Sequence, residues 1–228
     1  MNRRFIVVGA AALGLAGFAG GAWVIRDRRA RDAADAADAR AARVPDLLDR
    51  LAPPSAPVLG PADAPVTLVE FFDPSCEACR AFHPVLGELR ERYPQQLRIV
   101  LRYATLHQGS DEAVAILEAA RRQNLFEPVL NALLESQPTW ALHDGPRLEV
   151  AWAAAAAVGL DISNRDVELQ SPGTVLILRQ NAEDVQALGI RATPTFFLDG
   201  RELREVRNFQ SLIDSVAAAV AGSIPVSP

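Results

Sequence analysis

From Val66 onward the hydrophobic pattern alternates between two periods. The run Val66-Thr67-Leu68-Val69-Glu70-Phe71-Phe72 is β-branched and aromatic around a single charge, which predicts a buried strand. Apolar residues then recur at Phe82, Leu86, Leu89 and Tyr93, predicting a helix over 76–93 that Pro94 ends. Residues 97–106 predict a second strand, and helical spacing returns over 111–122, 126–135, 146–158 and 175–188. A hairpin is expected over 196–203 with Asp199-Gly200 at its turn, and Asn208 is placed to cap a last helix running to Ala221.

Ahead of Val66 the pattern changes character twice. Residues 5–25 are uncharged and mostly apolar, flanked by Arg3-Arg4 and by Arg26-Asp27-Arg28-Arg29. As a helix this stretch spans roughly 32 Å, the thickness of a bilayer core. Residues 1–25 are therefore expected to be a signal anchor in the membrane. A cleaved signal peptide is the alternative, because Gly17-Phe18-Ala19 and Gly20-Gly21-Ala22 offer small-x-small sites. Residues 26–56 are rich in alanine and alternating charge with few large apolar side chains, which predicts a solvated helical stalk leading into a proline-rich linker. The folded domain is expected over 57–222, with a frayed tail over 223–228.

Composition narrows the function classes. Half the residues are hydrophobic and the net charge is −5, so a sizeable core is expected and a nucleic-acid partner is not. Every basic residue is arginine, which we read as codon usage. The chain keeps only 2 cysteines, Cys76 and Cys79, three apart at the start of a helix. On one helical turn these two side chains share a face, so their sulfurs can close a bond without backbone movement. The first sulfur also meets the free N–H groups and positive dipole end of the helix, which favour the thiolate that attacks in disulfide exchange.

Three other readings compete, the plainest being that both cysteines are inert core thiols. The pair could bind a metal such as copper, with His83 as a third ligand one turn on, although a closed zinc site needs four ligands. It could also be a structural disulfide, but so short a loop constrains the unfolded chain very little. His83, His107 and His143 have no mutual spacing that suggests a triad or a metal cage. Trp140 and Trp152 read as packing aromatics of the helical region, and Arg121-Arg122 as a solvated helix end.

Three stretches together resemble the DsbA family of bacterial extracytoplasmic thiol–disulfide oxidoreductases. They are Val69 to Cys79, the helical middle, and Ile190-Arg191-Ala192-Thr193-Pro194-Thr195-Phe196-Phe197. The resemblance implies an α/β thioredoxin fold with a helical insertion over about 110–189. It also implies roles. Cys76 is the nucleophile and Cys79 the resolving thiol of a redox-active disulfide. Glu70 is a buried acid that relays a proton to Cys79. Pro194, in cis, faces the cysteines with Thr193 beside the Cys76 sulfur. No metal or bound cofactor is implied. The expected partners are cysteine-containing exported proteins and a membrane redox partner. The expected location is the periplasm, anchored to the inner membrane through residues 5–25, or soluble there if the signal is cleaved.

The site departs from the family's strong oxidants at Ser75, Glu77 and Ala78, which are expected to tune the pair, while Thr193 is similar to isomerases and reductases of the wider superfamily. Glu77 beside the nucleophile is expected to oppose its thiolate by like-charge repulsion, and so to weaken the enzyme as an oxidant.

Overall fold

The computed structural model describes residues 47–204, 206 and 208–223, together with Arg28 and Arg31. The membrane anchor expected over 5–25, nearly all of the stalk and the last five residues of the tail lie outside the described residues. No helix among the described residues is long and apolar enough to cross a membrane. The chain divides into two units, Met1–Pro45 and Asp46–Pro228, and only the second is considered below.

Five strands form one mixed sheet in the order β1-β3-β2-β4-β5. They are β1 (Val58–Leu59), β2 (Val66–Phe72), β3 (Leu97–Tyr103), β4 (Thr195–Leu198) and β5 (Arg201–Glu202). The central strand β2 runs parallel to β3 and antiparallel to β4, so Glu70 is flanked by Leu101 on one side and Phe196 on the other. Six of its seven residues are buried, the near-continuous burial expected of a strand covered on both faces.

The helix after β2, α2 (Glu77–Arg92), buries Cys79, Val85, Leu86 and Leu89. The crossover to β4 contains α3 (Ser110–Arg122), α4 (Phe126–Trp140), α5 (Leu148–Ala157), the short α6 (Arg165–Glu168) and α7 (Pro172–Leu188). The last helix, α8 (Phe209–Ser223), follows the β4–β5 hairpin, and Asn208 caps it by accepting the Ser211 amide at 2.9 Å. Trp140 and Trp152 are buried in the insertion, their indole N–H groups donating to the Leu133 carbonyl and to Glu112.

Several boundaries differ from the sequence reading, each for a physical reason. α4 continues through Pro138 to Trp140 because the apolar stripe of Leu130, Leu133 and Leu134 carries on past the proline, and its packing outweighs the one lost donor. α7 begins at Pro172 because Ser171 caps it, with proline at the first helical position. β3 stops at Tyr103 because the amides of Leu106 and His107 turn to the Asp73 carboxylate.

The packed unit also starts earlier than residue 57. A short helix, α1 (Leu47–Leu51), buries Leu51, and Arg50 reaches Asp184 on α7 at 2.6 Å. The proline-flanked β1 pairs with β3 through Val58↔Val100 and Leu59↔Ile99 and forms the edge of the sheet. Arg121 and Arg122 are not simply solvated: Arg121 donates to Glu118 and to the Ser55 carbonyl, and Arg122 to Glu168. Arg102 on β3 is buried against Asp184 at 2.7 Å and Asn181 at 3.0 Å, with its guanidinium over the Phe71 ring.

Candidate active site

The two cysteines sit where β2 hands over to α2. Strand pairing ends at Phe72, the turn Asp73-Pro74-Ser75 follows, and Cys76 is the N-cap of α2 in an extended conformation. Its carbonyl accepts the Arg80 amide as the first helical bond, while its own amide donates back to the Asp73 carbonyl at 3.0 Å. Both cysteines are free thiols and both are buried. The start of β4 lies across from them. Thr195 pairs with Phe71, the Thr193–Pro194 peptide is cis, and the Cys76 sulfur, in its protonated form, donates to the Thr193 carbonyl at 3.3 Å.

The electrostatics of the pair are asymmetric. The Cys76 thiol is held down at about 5, first by a hydrogen bond from Cys79. Burial works the other way, and the Thr193 side chain and the amides of Cys79 and Ala78 add to the lowering. The buried Thr193 hydroxyl meets no hydrogen-bond partner among the described residues, so its effect on Cys76 is that of a nearby dipole. The Cys79 thiol is pushed far up, by burial first, then by its bond to Cys76, then by the Glu70 carboxylate. Glu70, 3% exposed on β2, is raised from 4.5 to about 8, mainly by burial and secondarily by the Cys76 charge. Cys76 is thus the thiolate, and Cys79 and Glu70 hold protons behind it.

Glu77 sits in a different setting from the one its place in the sequence suggests. Its carboxylate, 55% exposed, points to His143 Nε2 at 3.0 Å, and the leading groups that shift Cys76 do not include it. On the first turn it faces solvent, where screening weakens its reach to the sulfur. Ala78 contributes only its amide, and Ser75 is buried with its hydroxyl accepting from Ser110 at 3.0 Å.

Two residues of the site were missed in the sequence. Asp73, fully buried, accepts at Oδ1 from the Ser75 amide at 2.8 Å and the Ser110 hydroxyl at 2.5 Å. Its Oδ2 takes the amides of Leu106 and His107 and the His107 ring at 2.7, 3.0 and 2.8 Å. Gln137 on α4 donates to the carbonyls of Pro74 at 2.8 Å and Cys76 at 3.0 Å, and accepts from Arg80 at 3.0 Å. The insertion therefore clamps the active-site turn from outside the sheet. A signal for Gln137 existed, since it continues the buried stripe of α4 between Leu133 and Trp140.

The three histidines go to three different partners: His83 to Asn131 at 2.7 Å, His107 to Asp73, and His143 to Glu77. Among the described residues no three His, Cys, Asp or Glu side chains gather where a metal ion could sit.

A family model described as thioredoxin matches residues 53–215. A solved thioredoxin-like oxidoreductase from Silicibacter pomeroyi is 30% identical, with a TM-score of 0.64 over 75% of this chain and 96% of that one. The alpha-DsbA1 of Wolbachia pipientis shares the fold at 19% identity and a TM-score of 0.67, over 76% of this chain and 95% of that one. Among curated proteins, the Na(+)/H(+) antiporter NhaA of Herminiimonas arsenicoxydans is 34% identical over 70% of this chain. The chain spans only 25% of that protein, so the transport in its name is carried over to no residue here. The family match over most of the chain, with the mixed sheet, the helical insertion and the buried Cys76–Cys79 pair, shows that the chain belongs to the thioredoxin family in its DsbA-like form.

Proposed function

We propose that this chain is a thiol:disulfide oxidoreductase of the cell envelope, acting on cysteines of exported proteins and coupled to a membrane redox partner. The observation that carries the reading is the placement of Cys76. Cys76 is the N-cap residue of α2 and its sulfur lies against the carbonyl before Pro194, with Cys79 and Glu70 buried behind it. The apolar span over 5–25 supports export and tethering to the membrane.

In the reductive direction the Cys76 thiolate attacks a substrate disulfide, forming a mixed disulfide and releasing one substrate thiolate. With the Cys76 charge gone in the mixed disulfide, Glu70 gives up its proton more readily, and Cys79, passing its own proton to the ionised carboxylate, then attacks the Cys76 sulfur. That step releases the second substrate thiolate and leaves the enzyme as a disulfide, two electrons poorer. The membrane partner restores those electrons. Run backwards, the same steps oxidise a substrate dithiol and the partner removes the electrons. Pro194, without an N–H, leaves neighbouring backbone free to pair with an extended substrate segment.

Reduction of insulin by dithiothreitol tests the assignment. Wild type should accelerate it, Cys76→Ser should not, and Cys79→Ser should accumulate mixed disulfides on non-reducing gels. Faster iodoacetamide modification of Cys79 than of Cys76 in the reduced protein would reverse the roles. An inactive C-terminal alkaline phosphatase fusion would refute the placement in the envelope.

A further inference from the structure

No residue between the cysteines carries a positive charge, since Glu77 is acidic and Ala78 neutral. A cation at this site has to come from elsewhere, and the buried Asp73 marks where. Its carboxylate receives five donors from Ser75, Leu106, His107 and Ser110, an environment that fits an ionised acceptor and not a protonated acid. The His107 ring nitrogen facing it, Nδ1, must therefore carry a proton, which leaves Nε2 as the atom that titrates. The same Asp73 accepts the Cys76 amide at its backbone carbonyl, and its own amide points to the Cys79 sulfur at 3.5 Å. One residue thus holds the imidazole and both cysteines in a fixed relation.

We propose that Asp73 holds the His107 imidazolium where its positive charge stabilises the Cys76 thiolate, with His107 a positioning residue that senses the redox state of the cysteines. This rests on the exchange chemistry proposed above. The groups bearing on His107 are Asp73 from the turn before α2, Cys76 and Glu77 from the start of α2, and, through Glu77, His143 from the α4–α5 loop. Burial works to lower the His107 pKa, but Asp73, then Cys76, then Glu77 act together to raise it. The coupling is reciprocal. Loss of the thiolate on disulfide formation must lower the His107 pKa by the same amount that loss of the imidazolium raises the Cys76 pKa. For partly exposed charges this is on the order of half a pH unit, about a threefold change in the thiol–thiolate equilibrium.

The experiment is an NMR titration of the His107 imidazole in the full-length protein, once with dithiothreitol and once oxidised, beside thiolate absorbance of wild type and His107→Gln. The expected result is a higher His107 pKa in the dithiol form, and a Cys76 pKa raised in His107→Gln with unchanged melting temperature. Asp73→Asn should reproduce the shift wherever it folds, and His107→Lys should restore the low thiol pKa. A His107 pKa equal in the two redox forms, or an unshifted Cys76 in His107→Gln, overturns the inference. Failure of the cysteines to form a disulfide at all would instead overturn the proposed function.

Discussion

Replacing Glu70 by glutamine tests the buried proton store directly. The rise from 4.5 to about 8 means that the folded protein binds a proton more tightly than the unfolded chain across that window. The sign follows from linkage. The folded-state pKa is raised, so this contribution to stability is complete below about pH 4.5 and is lost as pH climbs through about 8. At 1.36 kcal/mol per pH unit the whole loss is about 5 kcal/mol, an upper figure because burial also limits how far the site stays dry once charged. Glutamine has nearly the same shape and no proton to lose.

Urea unfolding of reduced wild type and Glu70→Gln at pH 5, 7 and 9 reads the effect. The mutant should gain on wild type by about 1.4 kcal/mol per unit of pH through the middle of the range. In the disulfide form the gain should be smaller, because the Cys76 charge is the second cause of the Glu70 shift. The same variant should resolve mixed disulfides about 100-fold more slowly, since Cys79 loses its proton acceptor. A stability difference that does not vary with pH would refute the buried-acid argument. A normal resolution rate would refute the relay while leaving the burial intact.

Gln137→Ala should destabilise the protein by about 2–3 kcal/mol, because it strands the buried Pro74 carbonyl and frees the turn that holds Cys76; urea unfolding at constant m-value checks this. Glu77→Gln should leave the Cys76 pKa nearly where it is, since the Glu77 carboxylate points to His143, and a fall approaching one pH unit in thiolate absorbance would restore the repulsion argument.

What the sequence made legible was whatever its chemistry wrote locally. The two cysteines on one turn, the lone acid in an apolar strand and the Thr-Pro pair before Phe196 each stand out against their neighbours. What stayed hidden depends on contacts between distant segments. Asp73 reads as an ordinary turn residue before Pro74, and only the fold brings Leu106, His107 and Ser110 onto its carboxylate. Gln137 lies on the buried stripe of α4 between Leu133 and Trp140, which marks its face, but only the docking of α4 shows that it meets Pro74 and Cys76. The setting of Glu77 was hidden for the same reason. Adjacency in sequence implied repulsion, but position on the first helical turn sends its side chain outward.

The groups that lower Cys76 also bear on the direction of the enzyme. The Cys79 thiol, the Thr193 side chain and the amides of Ala78 and Cys79 all interact with a charge that exists only when the pair is reduced. They therefore stabilise the dithiol state and leave the disulfide almost untouched, which makes the disulfide a stronger oxidant than an unassisted pair. The folded thiol pKa is depressed from 9.0, so this preference is complete above about pH 9 and is lost as pH falls through about 5. At neutral pH the thiolate is fully formed, and Glu77 facing solvent does not undo it. The acidic residue between the cysteines is thus a weak guide to direction. The stronger determinants are the helix start and the segment before β4 across from it, and in this chain both favour the thiolate.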